Sequence, residues 1–133
     1  EREALVMARR GQGRFRDAVQ QVERCCRVTR VDQLEHLRAS HIKPWRDSDN
    51  SERLDPENGL LLTPSIDHLF DGGYISFKET GELLVSPVAH KPSLSKMGIA
   101  VDRLIEVGNF TDRQSQFLEY HRDEVFLRAR VAR

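Results

Sequence analysis

The 133-residue sequence has little cysteine and no long apolar run. Its two cysteines, Cys25 and Cys26, are adjacent, which suits neither an ordinary bridge to each other nor the CxxC pairs of a structural zinc ribbon. No apolar stretch approaches the roughly 20 residues that cross a bilayer, so we expect no membrane association. Together these absences favour a protein of the reducing cytoplasm.

The sequence also lacks a net charge, because 21 Lys and Arg residues balance 21 Asp and Glu residues, and this argues against a nonspecific polycation. The charges are unevenly spread. Residues 1–46 hold 11 basic and 6 acidic residues, whereas residues 47–133 hold 10 and 15. A phosphate-binding face could draw on the basic part, but a solvated arginine-rich helix explains it equally well.

With 38% hydrophobic residues, the chain has enough apolar material for one core and is too short to divide comfortably into two. We therefore expect one domain over residues 1–133. The chain starts at Glu1 without a start methionine or a leader, so we expect a fragment of a longer protein. This leaves room for a fused or partner recognition domain, and the sequence indicates no oligomeric state.

Hydrophobic periodicity predicts helices at both ends of the chain. Residues 1–24 are predicted to form two helical pieces separated by Gly11 and Gly13. The second piece carries a core-facing stripe at helical spacing: Phe15, Val19 and Val22. A last helix is predicted to begin at Thr111, with an apolar face made of Phe117, Leu118, His121 and Val125.

The segment between these helices is predicted to contain strands and polar loops. Residues 27–30 and 34–42 are predicted to be extended, and Pro44 ends this segment. The polar residues 46–58 are predicted to form a long loop. The later elements are, in order, a buried strand over 60–62, a helix capped by Thr63 and Pro64 that ends at Gly72, a hairpin of 74–77 and 82–86 turned by Gly81, and a loop over 87–98.

Three residues suited to phosphodiester hydrolysis fall at the ends of these elements. His41 ends one predicted strand, Asn58 precedes the next, and His68 lies one turn into the following helix, at separations of 17 and 10 residues. Hydrolysis needs a base that activates water, a cation that neutralises the phosphate, and a group that holds the base in register. Two imidazoles and a carboxamide can supply these roles, although each residue alone has an ordinary structural explanation.

The motifs around these residues, SHIKPW, ENGLLL and IDHLFDGGYISF, resemble those of the HNH endonuclease family. The segments RRGQGRFRDAV, CCRVTR and FLEYHRDEVF extend the resemblance over nearly the whole chain, to the branch with an S/A-H-I-x-P, N-G-L-x-L and H-x-x-F-D pattern. The resemblance implies an α+β fold in which a ββα-metal (His-Me finger) core is flanked by helices and a β-hairpin.

The resemblance also implies a role for each of the three residues. His41 would be the general base, Asn58 would position that base or help to bind a metal, and His68 would be a metal ligand. The implied cofactor is a divalent metal, Mg²⁺ or Mn²⁺, although histidine ligation leaves a transition metal open.

The chain departs from the family at Ser40. Many HNH enzymes place an aspartate or histidine ligand immediately before the base, and a hydroxyl anchors a divalent cation less firmly. Asp67, Asp71 or additional waters could complete the metal shell. Lys43 and Arg46 are candidate phosphate contacts, although solvated loop residues are an equal alternative.

The remaining histidines have no partner in the motif. His36 and His90 are expected at the surface, His121 in the core as a hydrogen-bonded residue, and Cys26 in the core as a small apolar residue.

From the three motif residues and the resemblance, we expect a metal-dependent endonuclease that acts on DNA. The resemblance also implies restriction or another defence against foreign DNA. The alternative is an inactive HNH-like domain that binds nucleic acid or serves a structural role, with Ser40 as its lesion.

Overall fold

The computed structural model describes residues 2–129, with side chains for residues 10–129. The helices are Arg2–Val19 (α1), Asn50–Leu54 (α2), Pro64–Asp71 (α3), Lys91–Lys96 (α4) and Asp112–Tyr120 (α5). The strands are Arg38–His41 (β1), Gly59–Leu62 (β2), Ile75–Phe77 (β3) and Leu83–Val85 (β4). Helices and two small antiparallel sheets alternate along the chain, so the predicted α+β class is confirmed. No helix within residues 2–129 is long and apolar enough to cross a membrane.

The centre of the fold is the antiparallel pair β1 and β2, in which His41 lies opposite Gly59. All four residues of β2 are buried, as expected for its run of leucines. Thr63 occupies the N-cap of α3 and Pro64 lies in the first turn, as predicted from their order in the sequence. The resulting strand, strand and helix unit is the ββα arrangement that the resemblance implied.

Helix α1 crosses this strand pair so closely that only glycine fits at position 59. A Cβ atom built on Gly59 would lie 2.5 Å from Val19 Cγ2 and 2.7 Å from Phe15 Cζ. The helix runs unbroken through Gly11 and Gly13, so the prediction of two pieces was wrong. Glycine costs about 1 kcal/mol relative to alanine within a helix. Burial of Phe15 and Val19, at about 1.5–3 kcal/mol each, outweighs that cost.

The extended segments predicted before β2 are shorter than expected. Residues 27–30 form a turn, since Arg30 has a φ of 68° and its N–H donates to the Cys26 carbonyl at 2.8 Å. Of residues 34–42, only Arg38–His41 is a strand, and Leu34–His36 is a single 3₁₀ turn. A strand usually alternates buried and exposed side chains. This turn carries no buried residue, so its residues are not held in a strand by a buried face.

Both predicted loops contain helices. Residues 46–58 hold α2, which begins with a capping box between Asp49 and Glu52, and residues 87–98 hold α4, which has a proline in its first turn. Both are single short helices whose polar composition hides any periodicity. Their start signals, Asp-x-x-Glu and an early proline, were present in the sequence.

The second hairpin, β3 with β4, was predicted correctly, including Gly81 at its turn with a φ of 94°. α5 starts after the predicted N-cap Thr111 and continues into one π-helical turn, His121–Val125. Phe117, Leu118 and His121 are buried on its inner face. The hairpin and the turn after α5 pack against each other, since the His121 ring lies 2.7 Å from Ser76 Oγ of β3.

Candidate active site

His41 is held by contacts on its ring face and its ring edge. The ring stacks on Phe15 of α1, with centroids 3.8 Å apart and planes 6° apart. Its Nε2 lies 2.9 Å from the carbonyl oxygen of Arg53. A carbonyl oxygen only accepts hydrogen bonds, so Nε2 carries the ring proton and Nδ1 keeps its lone pair. The geometry therefore leaves Nδ1 as the basic atom.

The surroundings of His41 also keep its ring neutral. Burial lowers the pKa of His41 from 6.5, the hydrogen bond to the Arg53 carbonyl opposes this effect, and the positive charge of Arg53 adds to it. The lowered pKa means that the imidazole is unprotonated at neutral pH. A neutral imidazole with a fixed tautomer can accept a proton from water.

Asn58 braces the chain beside His41. Its side chain is fully buried, and Oδ1 accepts from the Lys43 N–H at 2.8 Å. Its Nδ2 donates to the Glu52 carbonyl at 3.1 Å and to the Lys43 carbonyl at 3.4 Å. Each polar atom of the carboxamide is thus engaged within the protein. This arrangement favours the positioning role for Asn58 over the metal-ligand role.

Helix α2 joins the two residues, in a segment where the sequence predicted only a loop. Asn58 donates to the carbonyl of Glu52, and His41 donates to the carbonyl of the next residue, Arg53. The helix is fixed in turn by an ion pair of 3.0 Å between Lys43 and Glu52. The capping box at Asp49 was the only local signal that an ordered element lies here.

His68 occupies a different position from the other two residues. It is exposed on α3, which packs against both β1 and β2. Its nearest aromatic neighbour is Tyr74, with ring centroids 6.3 Å apart. No hydrogen bond among the described side chains links His68 to His41 or Asn58. The structure thus brings His41 and Asn58 together around α2 and leaves the His68 imidazole facing solvent.

The donor set for a metal is sparse. Ser40 is 6% exposed and points to the strand face opposite His41, because successive strand residues alternate. Asp71 is exposed and Asp67 is half-buried on α3. Among the side chains of residues 10–129, no three His, Cys, Asp or Glu residues are grouped so that they could hold a metal. A cation here would depend on His68, waters and substrate oxygens; the waters and oxygens suit Mg²⁺, whereas the imidazole suits a transition metal better.

The two candidate phosphate contacts differ in availability. Lys43 donates to both carboxylate oxygens of Glu52 at 3.0 Å and lies 5.0 Å from the ring centroid of Tyr120. Arg46 has 75% of its side chain exposed, with Asp47 at a marginal 4.0 Å. The Lys43 charge is neutralised within the protein, so the arrangement favours Arg46 as the phosphate contact.

The histidines outside the motif lie where the sequence predicted. His36 and His90 are exposed. His121 is 1% exposed, with its Nδ1 2.7 Å from Ser76 Oγ and its Nε2 2.8 Å from the Phe70 carbonyl. Cys26 is fully buried, as expected for a small core residue.

Residues 26–78, which contain His41, Asn58 and His68, match the sequence family described as HNH endonuclease. Members of this family are generally nucleases that act on nucleic acid with divalent metal ions. No curated protein matches the chain. Phe15, which stacks on His41, comes from α1 and lies outside the matched segment.

Proposed function

We propose that this chain is a metal-dependent endonuclease that hydrolyses DNA phosphodiester bonds, with His41 as its general base. The observation that carries the proposal is the geometry of the His41 ring. One nitrogen donates to a backbone carbonyl, one face stacks on Phe15, and the other nitrogen keeps its lone pair. A histidine that served only to cross-link the core would engage both nitrogens, as His121 does.

Nδ1 of His41 would take a proton from the attacking water. The imidazolium that forms is stabilised by the Arg53 carbonyl, which already accepts from Nε2. Asn58 keeps that carbonyl in place, because it binds the preceding carbonyl of the same helix turn. His41 and Asn58 therefore act together, the first as the base and the second as a positioning residue.

A divalent cation, Mg²⁺ or Mn²⁺, would neutralise the phosphate and the leaving oxygen. The exposed imidazole of His68 would hold it, and an imidazole ligand also suits a transition metal. Asn58 as a second ligand would have to give up a hydrogen bond to Lys43, so we assign the ligand role to His68. Arg46 would contact a neighbouring phosphate.

The setting that we propose is restriction or another defence against foreign DNA in the cytoplasm, and it rests on the family alone. The rival function is an inactive HNH-like domain that binds nucleic acid or serves a structural role. The observations that favour the rival are Ser40 in place of an acidic or histidine ligand and the sparse donor set among the described residues.

A plasmid-nicking assay with His41→Ala tests the proposal. We expect cleavage by the wild-type chain with Mg²⁺ or Mn²⁺, none in EDTA, and a rate about 10² to 10⁴ lower for the variant. His36→Ala is the matched control, because this histidine is exposed and outside the site. DNA binding without cleavage across Mg²⁺, Mn²⁺, Ni²⁺ and Zn²⁺ would favour the inactive domain. Full activity in folded His41→Ala would refute the assignment of the base.

A further inference from the structure

Trp45 is the only tryptophan in the sequence, and it lies at the surface of the protein. It begins the 3₁₀ turn Trp45–Asp47 and remains 45% exposed. It does not belong to the hydrophobic core formed by the described residues, nor to the partly buried side chains packed against that core. An exposed indole is unusual for a soluble surface and is characteristic of binding sites.

Arg53 covers one face of this indole. Its guanidinium carbon lies 3.7 Å from the ring centroid, and its Nε donates to the Trp45 carbonyl at 2.9 Å. Since one face is covered and almost half of the residue is still exposed, the opposite face is open to solvent. The stacked guanidinium makes the indole a rigid plane that needs no rearrangement to accept a flat ligand.

The same arginine connects this plane to the proposed base. The Arg53 side chain stacks on Trp45, while its backbone carbonyl accepts from His41 Nε2. The indole therefore lies next to the element that orients the base. A strand bound on Trp45 would lie on the Arg53 side of His41.

Charges of both signs surround the indole. Three acidic side chains lie near it and are held by contacts within the protein: Asp47 accepts from Tyr120, Asp49 caps α2, and Glu52 pairs with Lys43. Arg46 remains exposed beside Trp45. The guanidinium groups of Arg46 and Arg53 are thus the cations that flank the indole, and both suit phosphate oxygens.

We propose that Trp45, backed by Arg53, stacks an unpaired nucleobase of single-stranded DNA. This extends the proposed function, because it adds to the substrate a contact with a nucleotide that is unpaired or flipped out of the duplex. A base inside an intact duplex is stacked on both faces and cannot lie on the indole. Arg46 supplies a phosphate contact to the same strand.

The single tryptophan makes the test direct. Tryptophan fluorescence of the whole chain is titrated in EDTA with an oligonucleotide of about 12 thymidines, which matches the size of typical single-strand sites. The comparison ligands are an abasic strand of the same length and a duplex of the same length. We expect saturable quenching by the thymidine strand and much weaker quenching by the other two, because only the first offers free bases to the indole.

Variants are compared by anisotropy of a labelled thymidine strand, which does not depend on tryptophan. Trp45→Leu should weaken binding about 5- to 150-fold, the range for loss of one base–aromatic stack. Trp45→Phe should restore most of the affinity, and Arg53→Lys should weaken it while keeping the charge. Leu104→Ala is the control, because Leu104 is an apolar side chain that is 64% exposed. Thermal unfolding of each variant checks that the fold is retained.

The outcomes separate this proposal from the endonuclease assignment. Equal quenching by the thymidine and abasic strands would overturn stacking in favour of phosphate attraction. Binding that leaves Trp45 fluorescence unchanged, or no binding at all, would also overturn it. Saturable, base-dependent quenching in a protein that cleaves no DNA with any metal would support the stacking site and refute the endonuclease.

Discussion

At the scale of single residues, Phe15 is the unexpected member of the candidate site. It is fully buried, and its ring lies parallel to that of His41 at 3.8 Å. The contact restricts rotation of the imidazole about its Cα–Cβ and Cβ–Cγ bonds. In combination with the hydrogen bond to Arg53, it fixes the direction of the Nδ1 lone pair. Phe15 is therefore a positioning residue in the proposed mechanism.

Phe15→Leu should lower the rate of cleavage by more than its loss of stability can explain. Leucine keeps the site apolar but offers no flat face to the imidazole, so His41 samples unproductive orientations. We expect a lower kcat with KM little changed, measured with Mg²⁺ on a plasmid substrate. Phe77→Leu is the matched control, since Phe77 is also fully buried but lies in β3. Equal loss of kcat in both variants of similar stability would assign Phe15 a packing role only.

At the scale of elements, a charged cluster joins the segment after α1 to the segment before α5. Arg27 donates to both carboxylate oxygens of Glu23 at 2.8 Å, and to the carbonyls of Val107 and Asn109. Its guanidinium carbon lies 4.2 Å from the ring centroid of Phe110. The cluster holds together segments that lie about 80 residues apart in the sequence, which no local pattern could predict.

Arg27→Ala should destabilise the fold strongly. The Glu23 side chain is 3% exposed, so its carboxylate would remain buried without its cation, which typically costs about 3–5 kcal/mol. Urea unfolding measures the loss. Lys78→Ala breaks the more exposed ion pair between Lys78 and Glu82 and should cost less than about 1 kcal/mol. Similar losses in the two variants would show that the buried carboxylate is not the cause.

At the scale of the whole molecule, His121 connects α3 of the ββα unit to β3 and to the turn after α5. Its ring stacks on Phe70 at 3.9 Å and bonds the Phe70 carbonyl at the end of α3. The other nitrogen meets Ser76 in β3, while the backbone belongs to the π-helical turn after α5. One neutral imidazole thus joins three elements in the core.

This histidine predicts a pH dependence of stability. Burial lowers the pKa of His121 from 6.5 to about 4, against an opposing contribution from the hydrogen bond to Phe70. The folded state therefore binds the proton less well than the unfolded state. The contribution of the neutral His121 ring to the free energy of unfolding is fully present above pH 6.5. It is lost as the pH falls from 6.5 to about 4, by about 3 kcal/mol in total.

Urea unfolding at a series of pH values from 8 down to about 4 measures this loss. His121→Gln removes the titrating group but keeps a donor and an acceptor, so its free energy of unfolding should fall less over this range. His90→Ala should behave like the wild-type chain, because His90 is exposed. The same pH dependence in His121→Gln and in wild type would exclude His121 as its source.

The sequence alone determined the parts of this protein that depend on local order. Three features could be predicted, because each depends on neighbours in the chain. They are the spacing of His41, Asn58 and His68, the start of α3 at Thr63 and Pro64, and the turn at Gly81. The short helices α2 and α4 were missed, since one or two polar turns show no periodicity. Their capping signals alone gave too little information.

Only the tertiary structure decided how the candidate site is built. Phe15 reaches His41 from α1 because Gly59 lets that helix approach the strand pair, and α2 offers two successive carbonyls to Asn58 and His41. These contacts join residues that are 6 to 44 positions apart. They arise from packing, which is set by the shapes of whole elements, and a local pattern carries no record of it.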